Sequence, residues 1–120
     1  MYSILHLSDL HLNVSLMYTD YGVDSSLVLW NATLFSLQQH HTFPDIILYT
    51  GDFTAHMNYT WNALYDTIEM VVSDVITLFP NSLHLLSILG NTDSIHGNIF
   101  IKISLLNHHI YIKYNRLLHE

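Results

Sequence analysis

The chain has 120 residues, enough for one domain with its own core. Half of the residues are apolar and only 11% are charged, well below the usual quarter for soluble domains. The formal charge is −7 with three lysines and arginines in all, so a module that binds a nucleic-acid backbone is not expected. Cysteine is absent, which excludes disulfides and thiolate metal sites.

A first strand is predicted by the apolar run over residues 2–8. In the helix that follows, apolar residues recur at steps of three and four, and Asp24 or Ser25 is expected to cap it. A second strand is predicted over residues 46–50. The apolar positions of the helix between these strands are Leu27, Trp30, Leu34 and Leu37.

A second, longer helix is predicted to begin after a Thr60 cap and to stop at Pro80. A third strand over residues 83–89 completes a β-α-β-α-β order, which predicts an α/β fold with a parallel sheet. Beyond residue 97, only residues 99–103 and 110–114 are strand-like. The apolar stripe of the long helix is expected to be core packing, and it comprises Trp61, Leu64, Ile68, Val71, Val72, Val75 and Ile76.

The chain carries no sign of a targeting or membrane segment. Its first residues lack a basic region and a long apolar stretch, so no signal peptide is expected. Polar residues interrupt both of the longest uncharged stretches, so no membrane span is expected. Glycosylation sequons at Asn13, Asn31 and Asn58 allow a secreted or vacuolar parent protein, and the localisation stays open.

Polar motifs follow each of the three predicted strands. Asp9 and His11 form D-x-H, Asp52 ends G-D, and Asn91 is the second residue of G-N-T-D. Because ligands collect outside the carboxyl ends of parallel strands, these residues can converge on one site. Carboxylate, imidazole and amide oxygen suit Zn, Mn or Fe. Taken singly, Asp and Asn also cap turns routinely, so only the combination is informative.

In this order and at this spacing, the motifs resemble the first three blocks of the calcineurin-like metallophosphoesterase family. The resemblance implies a partial domain over residues 1–120, the N-terminal half of that family's four-layer α/β sandwich. It also implies hydrolysis of a phosphomonoester or phosphodiester substrate at two divalent metal ions that clamp the phosphate. By resemblance, Asp9 and His11 bind the first metal, Asp52 bridges both, and Asn91 binds the second.

The match is nearest to acid sphingomyelinase-like phosphodiesterases and endopolyphosphatases, through L-S-D-L-H-L at residues 7–12 and G-D-F-T-A-H at residues 51–56. That resemblance implies that His56 lies close to the substrate phosphate, which makes it a candidate catalytic residue. Thr92 stands where the family has a histidine that protonates the leaving group or orients the phosphate, and a hydroxyl cannot be an acid at neutral pH. The family's later metal-binding histidines, including the G-H-x-H block, have no counterpart in these residues.

Two other interpretations stay open: a non-catalytic remnant that binds one metal weakly or none, and an interaction module that needs a partner to complete the fold. The isolated chain is expected to show little or no phosphoesterase turnover. It is also expected to self-associate, because the tail over residues 99–118 is too short to cover the apolar face of the sheet. Among other histidines, His6 is expected in the core or an interface, and His40 and His84 at the surface or in turns.

Overall fold

The computed structural model describes residues 1–40, 43–57, 60–86, 90–93, 99–106 and 109–116. Its helices are α1 (Leu27–Gln39) and α2 (Trp61–Leu78), and a short 3-10 turn spans Asn91–Asp93. Its strands are β1 (Ile4–Leu7), β2 (Leu12–Asn13), β3 (Ser25–Ser26), β4 (Ile46–Tyr49), β5 (Leu83–Leu86), β6 (Ile99–Leu106) and β7 (His109–Arg116).

Strands β1, β4 and β5 form a parallel sheet in the order β1-β4-β5. Ile4 lies opposite Ile46, which in turn lies opposite Leu83. The predicted α/β fold with a β-α-β-α-β parallel sheet is therefore confirmed. Because the three strands run in one direction, the loops that follow them leave the sheet at the same edge.

Helix α2 supplies most of the core. The Thr60 hydroxyl accepts the Ala63 N–H at 3.2 Å, which confirms the predicted cap, and the helix ends at Leu78 just before Pro80. Its buried side joins one apolar cluster with Ile47 and Tyr49 of the central strand β4, both fully buried. The buried residues of α2 are Leu64, Thr67, Ile68, Val71, Val72 and Val75.

Helix α1 begins one residue later than the sequence predicts. Its cap is Ser26, whose hydroxyl accepts the Leu29 N–H at 3.1 Å, so the expectation of Asp24 or Ser25 was wrong. The Asp24 carboxylate is instead hydrogen-bonded to His56. Trp30 is the buried residue of α1, and its indole N–H donates to Asp74 of α2 at 2.8 Å.

The other face of the sheet is apolar and largely open. Ile4 and Leu83 stand in register with Ile46 on this face, and their exposed fractions are 61% and 57%. Leu85, two residues further along β5, is 42% exposed. The parallel strands are thus apolar on both faces, as predicted, while α1 and α2 cover only one of them.

Two further strand pairs complete the described structure. Strands β2 and β3 pair in parallel over two residues each, and β6 pairs with β7 in an antiparallel hairpin that extends both predicted tail segments. Within the described ranges, no helix combines the length and the apolar character that crossing a membrane requires.

Three histidines outside the motifs can be compared with expectation. His40 is exposed at the end of α1, as predicted. His6 is exposed on β1, where its Nε2 lies 2.7 Å from the Thr50 hydroxyl, so it is not a core residue. His84 is not in a turn but on β5, half-buried, with Nδ1 2.9 Å from the Tyr49 hydroxyl. The surface prediction for His84 was wrong because a buried tyrosine hydroxyl needs a polar partner.

Candidate metal centre

The loops that follow β1 and β4 are bonded to each other through their backbones. The Asp9 N–H donates to the Gly51 carbonyl at 3.2 Å, and the His11 N–H donates to the Asp52 carbonyl at 2.9 Å. Leu12 continues the pairing through its N–H to the Phe53 carbonyl at 2.8 Å. These bonds hold the D-x-H and G-D motifs side by side at the carboxyl edge of the sheet.

The backbone of this edge is strained at the predicted metal ligands. The φ angles of Asp9, His11 and Asp52 are 54°, 43° and 54°, in the left-handed region that few non-glycine residues adopt. Such conformations cost about 1–3 kcal/mol each and collect at functional sites. Within the described residues these three are the only non-glycine residues with positive φ. The strain therefore coincides with the motifs.

The three side chains converge. One ligand atom from each of Asp9, His11 and Asp52 lies within 4.8 Å of the other two. His11 Nε2 is 3.9 Å from Asp9 Oδ1, and the Ser8 hydroxyl donates to the other Asp9 oxygen. His11 Nδ1 is buried and makes no hydrogen bond. Two carboxylates and one imidazole fit a divalent transition metal.

The third motif fixes the Asp52 carboxylate. Asp52 Oδ1 accepts the Thr92 N–H at 3.1 Å and the Thr92 hydroxyl at 2.9 Å. A Cβ on Gly90 would overlap that carboxylate and crowd the Asp52 backbone nitrogen, so only glycine fits there. Asn91 begins the turn that contains Thr92, although its side chain lies outside the part that the structure describes. Thr92 thus positions a predicted ligand.

Asp93 joins the second and third loops, a role that sequence reasoning missed. Its fully buried carboxylate accepts N–H groups from Phe53 at 2.9 Å, Thr54 at 3.2 Å and Gly90 at 3.0 Å. Burial raises the pKa of Asp93, and the N–H donors oppose that rise. The final residue of G-N-T-D was the available signal, because an Asp after a turn commonly binds backbone N–H groups.

His56 lies beside this centre rather than within it. Its ring stacks on that of His11 with centroids 4.3 Å apart. Its Nδ1 lies 2.7 Å from Asp24 Oδ1, and its backbone N–H donates to Asp24 Oδ2 at 3.1 Å. Sequence reasoning assigned Asp24 to helix capping, and no local motif links it to His56, which follows 32 residues later.

The structure therefore brings together Asp9, His11 and Asp52, and it places His56 against His11. In comparisons with known proteins, no family model matches this chain and no curated protein matches it significantly. The resemblance to calcineurin-like metallophosphoesterases stays a prediction that rests on the motifs.

Proposed function

We propose that the chain contributes a metal-dependent phosphoester hydrolase centre at the carboxyl edge of its parallel sheet. The observation that supports this most is the convergence of Asp9, His11 and Asp52, each in left-handed backbone, from two adjacent strand ends. Strain of this kind persists only where the surrounding structure imposes it. The class of reaction comes from the motif resemblance, and the geometry is compatible with it.

The proposed ligand roles come from the motif resemblance, and the contacts add a positioning role for Thr92. Asp9 and His11 would hold one divalent metal, Asp52 would serve both ions, and Asn91 would hold the second. Thr92 holds the Asp52 carboxylate in place through two hydrogen bonds to Oδ1. When bound, Zn, Mn or Fe would supply charge that neutralises the phosphate oxygens and lowers the barrier to hydrolysis.

The proton donor for the leaving group is the part of this centre with the least support. The Thr92 hydroxyl donates to Asp52 and cannot be an acid at neutral pH. His56 is the remaining candidate, since it lies against His11 and its side chain is 63% exposed, open to a substrate. Turnover is therefore expected to be slow.

Hydrolysis of bis(4-nitrophenyl) phosphate with Mn²⁺ or Zn²⁺ tests the proposal. The native chain should show slow turnover that Asp52→Asn removes, because the bridging carboxylate loses its charge. Asp66→Asn, on the exposed side of α2, is the matched control and should leave the rate unchanged. Equal rates for the native chain and Asp52→Asn would contradict a hydrolase at this edge.

A second candidate is supported by the open sheet face. Ile4, Leu83 and Leu85 form an exposed apolar surface on the side of the sheet opposite the helices. Such surfaces commonly bind a partner or a second copy of the chain. Light scattering after size exclusion at micromolar concentration should therefore detect self-association that Leu83→Lys with Leu85→Lys reduces. A native monomer that unfolds cooperatively would contradict this candidate.

A further inference from the structure

A second group of ligands lies next to the centre described above, and none of the motifs predicts it. One ligand atom from each of His11, Asp24 and His56 lies within 4.8 Å of the other two. The group combines two imidazoles with one carboxylate and draws on three separate segments: the loop after β1, the residue before β3 and the loop after β4. Two imidazoles and a carboxylate form a common protein ligand set for Zn²⁺.

The distances of this group suit a tetrahedral cation. Zn–N and Zn–O bonds of about 2.0–2.2 Å place neighbouring tetrahedral ligand atoms roughly 3.4 Å apart. Asp24 Oδ1 and His56 Nδ1 are closer than this, at 2.7 Å, and the other separations reach at most 4.8 Å. The His56 side chain is 63% exposed, so it can rotate by the small amount required. The ligand atoms therefore need only small shifts.

His11 supplies an independent reason to expect a ligand. Its Nδ1 is buried without a hydrogen bond, and an unsatisfied buried polar atom destabilises the fold unless a ligand pairs with it. His11 can bind a cation through each ring nitrogen only as an imidazolate, so the proton on its second nitrogen would have to be released to solvent when the second ion binds. The ring of His56 stacks on that of His11 with centroids 4.3 Å apart, so the two imidazoles lie next to each other at this site.

We infer that His11, Asp24 and His56 form a second cation site, specific for Zn²⁺ and similar transition metals. This site goes beyond the proposed hydrolase centre, because Asp24 plays no part in that centre and His56 is proposed there as a proton donor and not as a metal ligand. Coordination of Zn²⁺ by His56 Nδ1 replaces the hydrogen bond to Asp24 Oδ1 and leaves the ring proton on Nε2. The site holds its ion whether or not Asp9 and Asp52 bind another.

Calorimetric titration of the full chain with Zn²⁺ tests the inference. In the Asp9→Asn/Asp52→Asn background, the chain should keep one equivalent of Zn²⁺. Adding Asp24→Asn or His56→Gln should weaken that binding at least tenfold, while His40→Gln, at an exposed histidine, should not. Circular dichroism confirms that each variant is folded.

Two results would overturn the inference: no Zn²⁺ bound in the Asp9→Asn/Asp52→Asn background, or affinity in that background unchanged by both Asp24→Asn and His56→Gln. If that background does not fold, the single variants decide. Asp24→Asn should then lower the Zn²⁺ stoichiometry of the native chain by one, and an unchanged stoichiometry would overturn the site. The visible absorption of bound Co²⁺ offers a second readout, since His56→Gln should alter its band pattern. Failure here leaves the hydrolase centre untested, because Asp24 plays no part in it.

Discussion

The helix-covered face of the central sheet consists of residues that stabilise the fold. The loops at the carboxyl edge of the sheet instead contain residues that destabilise it. Ile47 and Ile68 are fully buried, apolar and in regular backbone. The loops instead place Asp9, His11 and Asp52 in left-handed backbone and leave a buried imidazole nitrogen unpaired. The first region stabilises the chain and the second destabilises it. Residues that destabilise the fold and have no compensating structural role are the ones to test for function.

The largest expected effect is in the covered face. Ile68→Ala should lower the free energy of unfolding by about 2–5 kcal/mol, because it leaves a cavity among fully buried residues. Val28→Ala on α1, where the side chain is 52% exposed, is the control and should change it by less than about 0.5 kcal/mol. Urea denaturation measures both. The Zn²⁺ affinity of the folded Ile68→Ala variant should be unchanged. A loss of affinity would show that the covered face and the carboxyl-edge loops do not act independently.

Gly90→Ala should affect both regions at once. The added methyl group overlaps the Asp52 carboxylate, so we expect a destabilisation of about 1–3 kcal/mol together with weaker metal binding. Gly22→Ala is the matched control, because it adds strain at φ 79° but meets no atom within 4 Å. It should cost about 1–2 kcal/mol in stability and leave Zn²⁺ affinity unchanged. Both Zn²⁺ affinities are compared in the Asp24→Asn background, which weakens the second site. Equal affinities with and without Gly90→Ala in that background would show that Asp52 does not bind the ion.

Asp9→Gly should stabilise the fold while it removes a ligand. Glycine adopts φ 54° without steric cost, so the free energy of unfolding should rise by about 0.5–1 kcal/mol. Asp9→Asn separates the two effects, since Asn tolerates the left-handed region but carries no charge. Thermal denaturation and Zn²⁺ titration are measured in parallel. A destabilised Asp9→Gly variant would mean that the Asp9 side chain has a structural role.

The smallest expected effect is at the opposite edge of the sheet, where Asp45 Oδ2 accepts the Ser3 N–H at 2.7 Å and its hydroxyl at 3.0 Å. These bonds lower the pKa of Asp45. A lowered pKa contributes stability that is present above the unfolded-state pKa and is lost as pH falls through the folded one. Native stability minus that of Asp45→Asn should therefore be positive at pH 6 and shrink below about pH 4. A constant difference between those pH values would contradict it.

Much of the fold could be predicted from local pattern. Apolar runs located β1, β4 and β5, and the Thr60 cap and its apolar stripe located α2, because burial and capping depend on nearby residues. The convergence of Asp9 and Asp52 followed from the shared direction of parallel strands. The uncovered apolar face of the sheet was expected from the shortness of the tail over residues 99–118. The Ser26 cap and the Asp24–His56 pair could not be predicted, since each depends on which segments pack together.

The hydrogen bonds that Asp93 makes between the second and third loops affect the order in which parts of the chain fold. Its carboxylate joins Gly90, at the edge of the third loop, to Phe53 and Thr54, about forty residues earlier in the chain. Contacts of such sequence separation carry a cost in loop-closure entropy, which slows their formation relative to local helical contacts. Helix α2 and strand β5 lie within this segment. In refolding experiments, cation uptake should therefore lag behind helix formation, so that Zn²⁺ reports the last stage of assembly.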